Sequence, residues 1–351
     1  MTKTNRIRRM VPIIFIMTMV LGLSGCGKET GDFTTAGMNS VVAMNYDEAL
    51  ESFDQALLNE EDARLVLRGK GLAYMGQADY EQAAASFEQA LAGSDMLPDA
   101  VDVDINYYLA TCYYRLGDRA KALAVYDAIL ARSGKETAAW YERGVVELDE
   151  GNYDQAISDF EKAMELAPAD YDMLVRIYEA MNDNGYGEQG KVYLQDALEN
   201  GTNNMGDYDR GRISYYLEDY VTARNKLEEA RSSGGQDACY YLGKSWEALG
   251  DYNYAASVYS SYLTEHGPDA RIYNQLALCK LQLGSYQEAL DAIREGLAIE
   301  DSGMEQTLCY NQIVIYEYLE DYDQALVLCR NYLQKYPTDT QAQAEYLFLN
   351  R

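Results

Sequence analysis

The sequence predicts an all-α protein: an α-solenoid of about nine helix-turn-helix units closed by a single C-terminal helix. Three observations lead there. First, one phrase recurs along the chain: Gly, a polar residue, Tyr, two further residues, Ala, three residues, an aromatic. It reads Gly151-Asn152-Tyr153-Asp154-Gln155-Ala156 with Phe160, and again Gly250-Asp251-Tyr252 with Ala255 and Tyr259. Second, the small residue of the phrase returns at Ala49, Ala83, Ala122, Ala156, Gly190, Ala223, Ala255, Ala289 and Ala325, at spacings of 34, 39, 34, 34, 33, 32, 34 and 36. Third, twelve residues upstream stands another small residue, at Gly37, Gly71, Ala110, Gly144, Gly211, Gly243 and Ala277. Two small residues and one aromatic per period let two helices approach while a ring fills the space beside them, and a hairpin of that kind buries its apolar stripe only against its neighbours.

Before the repeats comes a leader. Residues 1–25 contain no acid and four bases, Lys3, Arg6, Arg8 and Arg9, followed by the apolar run Met10 to Leu23. That run is shorter than the roughly 20 apolar residues a spanning helix needs, and it matches the short core of an export signal. It ends in Leu23-Ser24-Gly25-Cys26. The quartet resembles the lipobox of bacterial lipoproteins. The resemblance implies a signal peptide over 1–25 cleaved before Cys26, a diacylglyceryl group on the Cys26 thiol, and a place on the extracytoplasmic face of the cell membrane. One acyl chain anchors only marginally, so two chains would hold a body that an anionic membrane repels. Residues 26–33 are expected to be a flexible tether, and 34–351 one folded solenoid.

The units follow in order. The first has a polar first helix around Thr34 to Met44. The fourth is the fullest copy, with Trp140, Gly144, Gly151, Tyr153, Ala156, Phe160, Ala163 and Pro168 in step. The fifth departs with Gly190 as its marker and Tyr178 where a small residue is expected, and the ninth places Ile313 there. After Pro337 one helix remains, about Thr340 to Asn350, to cap the end. The pattern resembles the tetratricopeptide repeat (TPR), over nearly all of residues 30–351, and the resemblance implies a right-handed superhelix that binds a protein or peptide in its concave groove.

Composition narrows the function. With 57 Asp and Glu against 29 Lys and Arg, the net charge of −28 repels nucleic acid. One histidine, His266, cannot build a His triad or a multi-His metal centre. No cofactor, metal or catalytic residue is expected, and the chain is not read as an enzyme. Gly185-Tyr186-Gly187-Glu188-Gln189-Gly190 spells a dinucleotide fingerprint, but Asp172 to Met181 before it reads as helix rather than strand, so it is read as an inter-helix turn. Asp95, Asp99, Asp102 and Asp104 lack the order and central Gly of a calcium loop and are read as a solvated acidic segment. Cys112, Cys239, Cys279, Cys309 and Cys329 are odd in number and irregular, as core thiols rather than a disulfide framework.

By the family resemblance, ligand-facing positions are the second, fifth, ninth, twelfth and thirteenth of each unit. They carry Tyr107, Tyr114, Tyr141, Tyr208, Tyr215, Tyr216, Tyr240, Tyr310 and Tyr318, with acids such as Asp149, Glu179 and Glu247 and fewer bases, Arg68, Arg115, Arg212, Lys244 and Arg271. Tyrosine gives rigid amphipathic contact at low entropic cost. The expected partner is a protein or peptide with basic or apolar segments, held by a lipid-anchored extracytoplasmic scaffold. An envelope assembly or secretion factor of the TPR-lipoprotein kind and a binder of cell-wall glycan are the other readings. With 33 Tyr against 6 Phe, many tyrosines also serve as packing residues.

Overall fold

Every hairpin in the structure turns on one backbone device, five residues before its marker. The residues there, Met44, Ala78, Gly117, Gly151, Gly185, Glu218, Gly250, Gly284 and Glu320, all have φ between 55° and 90°. Five are glycine, which takes that conformation freely; the other four carry a cost of about 1–2 kcal/mol each. The next residue caps the second helix. Asp79, Asp118, Asp219, Asp251 and Asp321 accept the backbone N–H three residues on, at 3.0–3.1 Å.

This is a computed structural model and it describes residues 32–93, 99–201, 205–233, 235, 237–299 and 302–351. The leader, Cys26, the tether up to residue 31, and Asp95 lie outside the described residues. Among the described residues there are nineteen helices and no strand. They pair as α1 (Asp32–Val42) with α2 (Tyr46–Leu58), α3 (Ala63–Gly76) with α4 (Tyr80–Ala92), α5 (Ala100–Leu116) with α6 (Arg119–Arg132), and α7 (Thr137–Asp149) with α8 (Tyr153–Leu166). Then come α9 (Tyr171–Asp183) and α10 (Gly187–Asn200), α11 (Asp207–Tyr216) and α12 (Tyr220–Ser232), and α13 (Ala238–Ala248) and α14 (Tyr252–His266). The last pairs are α15 (Ala270–Gln282) with α16 (Tyr286–Leu297) and α17 (Glu305–Tyr318) with α18 (Tyr322–Lys335), followed by α19 (Thr340–Leu349). Helix α1 starts at Asp32, so Asp32 and Phe33 are helical rather than tether.

Read from the sequence as one body, the chain divides in space into two compact units, the first ending at Tyr193 and the second beginning at Leu194. In the first, each helix from α1 to α9 packs on the next, and α1–α3, α3–α5 and α7–α9 also touch. In the second, each helix from α11 to α19 packs on the next, and α11 touches α13. No helix of the described residues is long and apolar enough to cross a membrane.

The core of each hairpin is a socket. All eight marker alanines have no exposed surface, and Gly190 is buried. Four residues beyond the marker, a large side chain presses on the small residue of the first helix. A methyl group at Gly144 would stand only 2.7 Å from the Phe160 ring, and at Gly71 and Gly243 it would overlap the rings of Phe87 and Tyr259 outright. Ala110 still faces Tyr126 and Gly211 faces only Leu227, but in three hairpins a larger first-helix residue goes with a smaller partner. Ala277 meets Ile293, Ile313 meets Cys329, and Tyr178 meets Gly190 and the smaller Leu194 follows. The two departures at the fifth and ninth hairpins are therefore compensated pairs. Burying one such ring contributes about 1.5–3 kcal/mol. The fingerprint glycines of the fifth hairpin are accounted for in the same way, with Gly185 at φ 87° in the turn and Gly190 in the socket.

Gly144→Ala is expected to cost about 1–3 kcal/mol by overpacking, and Phe160→Ile a similar amount by leaving space. The double variant copies the Ala277–Ile293 pair and should lose less than the sum by about 1 kcal/mol or more. Denaturant unfolding of all four proteins measures this coupling; strict additivity would refute the socket.

Candidate functional site

On a helix, positions two, six, nine and thirteen are spaced by four, three and four residues and form one stripe. Position six belongs to that stripe although the sequence reading omitted it. It carries Tyr108, Glu142, Arg176, Asp209, Tyr241, Gln275 and Asn311, counting each socket residue of the first helix as the eighth. The structure connects these to the positions the sequence did single out. Arg176 lies 4.3 Å over the Tyr141 ring, Arg68 lies 5.6 Å over Tyr108, and Asn311 Nδ2 donates to Asn274 Oδ1 at 2.7 Å.

In the first compact unit the candidate tyrosines are committed to the fold. Tyr141 is 6% exposed, with its ring 6.1 Å from Phe160, so it belongs to the core and not to a binding surface. The Tyr114 hydroxyl donates to Asp149 Oδ2 at 2.5 Å, while Asn184 Nδ2 donates to Asp149 Oδ1 at 3.3 Å. The Arg119 guanidinium lies 4.4 Å over the Tyr114 ring. Burial, followed by the Asp149 bond and charge, pushes the Tyr114 phenol up to about 12. Tyr107 tilts against Tyr126 at 6.4 Å, and its hydroxyl is buried with no hydrogen-bond partner. Burial and then the charges of Glu136 and Glu142 push its phenol well above 10.

The second compact unit gathers its candidates into a hub. Tyr241 on α13 has the rings of Tyr208, Tyr215, Tyr216 and Tyr240 around it, at 6.4, 5.6, 5.8 and 5.2 Å, all close to edge-on. The hydroxyls of Tyr216 and Tyr241 are 3.1 Å apart. All five tyrosines are half-buried, so each keeps part of its surface accessible. Beside the hub, Lys244 donates to Glu247 at 3.0 Å and the Tyr259 hydroxyl donates to the other Glu247 oxygen at 2.6 Å. Edge-to-face packing fixes the rings without consuming their outer faces. Tyr310 packs on Tyr332 at 5.9 Å, and Tyr318, 53% exposed, sits 5.5 Å from Tyr286. These two stand outside the hub.

The acids of the suspected loop have structural partners. Asp99 caps α5 and accepts from Arg64 at 2.8 Å, Asp102 accepts from the same guanidinium at 3.1 Å, and Asp104 accepts from Arg68 Nε at 2.6 Å. Among the described residues no group of three or more His, Cys, Asp or Glu is arranged to hold a metal. His266 ends α14, its ring 5.0 Å from Tyr262. Cys112, Cys239, Cys279 and Cys329 are buried free thiols and Cys309 is half-buried; burial pushes Cys112 and Cys279 up to about 12.

Two carboxyls stand apart. Burial pushes Glu142 up to about 7, partly opposed by Arg176. Glu317 on α17 faces Glu345 on α19; burial and then the Glu345 charge push it up to about 7 as well. The Glu345 charge on α19 thus disfavours ionisation of Glu317 on α17.

The sequence model of the tetratricopeptide repeat family matches residues 41–96, 68–137, 107–171, 208–270 and 248–304. Among solved structures, a tetratricopeptide repeat protein from Parabacteroides merdae ATCC 43184 is 16% identical, with 74% of this chain and 98% of that one covered and a TM-score of 0.45. MamA from Desulfovibrio magneticus RS-1 is 18% identical over 48% of this chain and 96% of that one, TM-score 0.39. A thermophilic TPR protein of Thermus thermophilus is 18% identical over 61% and 98%, TM-score 0.40. No curated protein matches the chain.

An acid with a higher pKa in the folded than the unfolded state takes up a proton on folding. The stability contributed by Glu142 and Glu317 is therefore complete below the ordinary value of 4.5 and is lost as pH rises through about 7. Replacing both with Gln should flatten the fall in unfolding free energy across that window and leave the variant about 1–3 kcal/mol better placed at alkaline pH relative to its own acid value. Parallel pH curves for variant and wild type would refute the assignment.

Proposed function

The chain belongs to the tetratricopeptide repeat family, and on that premise we propose that it is a scaffold holding a protein or peptide partner on the exposed faces of its first helices. The observation that carries this reading is the tyrosine hub of α11 and α13. Five half-buried rings are held rigid by each other, so a partner gains contact area without ordering loose side chains. Lys244 and Glu247 at the rim add one charge of each sign for orientation. The acidic surface favours partner segments carrying Lys or Arg, by attraction and by stacking of cations on tyrosine.

In the same reading the scaffold is tethered outside the cell membrane by lipid on Cys26. The basic leader, its short apolar run and the Leu23-Ser24-Gly25-Cys26 quartet support it. A lipid anchor suits a body of this charge, because electrostatics alone would drive it away from anionic headgroups.

Tyr215→Ala and Tyr240→Ala are each expected to weaken partner capture by about tenfold while leaving helicity unchanged, because hub rings act as interface anchors. Crosslinking from photoreactive residues placed at the hub identifies the partner, and its unchanged capture by both variants would refute the binding face. Tyr141→Ala should instead cost about 2–4 kcal/mol of stability as a core truncation. Cys26→Ser should move the protein from the membrane to the soluble fraction and abolish incorporation of labelled palmitate. Retention on the membrane would end the anchor reading.

A further inference from the structure

Glu142, on α7, takes part in no hydrogen bond or ion pair among the described residues. It lines a cavity of about 10 Å³ together with Thr111, Tyr114, Tyr126, Val145 and Val146, which is the space of one water-sized group. Tyr126 and Val146 are buried, whereas Thr111, Tyr114, Glu142 and Val145 are half-buried, so four of the six lining residues keep accessible surface, past which a guest would enter. Its wall offers acceptors. The Thr111 hydroxyl already donates to the Tyr107 carbonyl at 2.9 Å, and the Tyr114 hydroxyl already donates to Asp149. Both therefore turn only lone pairs toward a guest. The Arg176 guanidinium, whose charge is felt by Glu142, sits 4.3 Å over the Tyr141 ring and forms no ion pair with the carboxylate among the described residues.

A carboxylate among tyrosine rings, in a recess of this size, is complementary to a primary ammonium: three N–H donors on one compact charge, with a thin stem able to leave through the open side. A guanidinium is planar and too broad for the space, and a neutral or anionic group would leave Glu142 unpaired. We propose that the recess between α5, α6 and α7 receives the ε-ammonium of a lysyl side chain on the partner held by the first-helix faces. The proposal names the partner chemistry of the scaffold reading above and rests on it, at residues of the first compact unit distinct from the tyrosine hub.

The test titrates the full chain, in mild detergent and with ¹³C-labelled tyrosine rings, above neutral pH. Three probes are used: the blocked tripeptide Gly-Lys-Gly, its norleucine counterpart, and n-butylammonium. The lysine peptide should shift the Tyr114 and Tyr126 ring signals saturably in the millimolar range, up to about 20 mM, and the norleucine peptide should not. Glu142→Gln, which keeps shape and removes charge, should weaken the lysine response by about tenfold. Equal responses to lysine and norleucine, an unchanged response in Glu142→Gln, or no saturation would each overturn the recess. The norleucine comparison needs no variant, so it stands even if Glu142→Gln folds poorly. A response to n-butylammonium alone overturns the lysyl occupant in favour of a free amine. Because no partner is needed, an intact lysine response beside unaffected capture by Tyr215→Ala and Tyr240→Ala overturns the hub alone, and the reverse pattern overturns the recess alone.

Discussion

The close approach of two helices within each hairpin, with one small residue on the first and a large side chain on the second, is the constraint on which the rest of this protein depends. A methyl group at Gly71, Gly144 or Gly243 would run into the facing ring, so the glycine sockets leave no slack. The constraint falls on the pair as well as on each residue, so Ile313 is accommodated opposite Cys329 and Ala277 opposite Ile293, although Ala110 faces the larger Tyr126. Fixing that distance in every hairpin fixes the side chains each first helix presents, and so the surfaces available for function.

The same economy decides which tyrosines are free to bind. Where a tyrosine has a carboxylate one repeat away, as Tyr114 has Asp149, its hydroxyl ties one hairpin to the next. Where it fills a socket, as Tyr259 does, or packs beside one, as Tyr141 does, it becomes core. Around Tyr241, among the described residues, several half-buried rings meet edge to face and each keeps part of its surface accessible. An acidic chain rich in tyrosine thus uses several of these rings as structure.

Much of the architecture was legible because its signals are local. The turn, the cap and the marker lie within six residues of one another, and the two small residues of a hairpin lie twelve apart. Those separations are set by helix geometry, so chance cannot keep them in phase over nine copies. The site was less legible. Nine tyrosines at family positions were named; four in the second compact unit, Tyr208, Tyr215, Tyr216 and Tyr240, meet at the hub, while Tyr141 is core. Tyr241, Glu142 and Arg176 were missed because position six was not counted, although its four-three-four spacing with positions two, nine and thirteen already placed it on the same stripe.

From the sequence alone came the helical class, the number of hairpins, and the turn and capping residues, since each is written in residues a few positions apart. Tertiary structure alone decided the rest: the division into two compact units, the Arg64 and Arg68 partners of the loop acids, the Glu345 charge acting on Glu317, and the unpaired Glu142. These depend on side chains about one repeat or more apart, where several groups of either charge lie within reach. Which of them meet is settled by rotamer, burial and desolvation, and these exist only once the helices have packed.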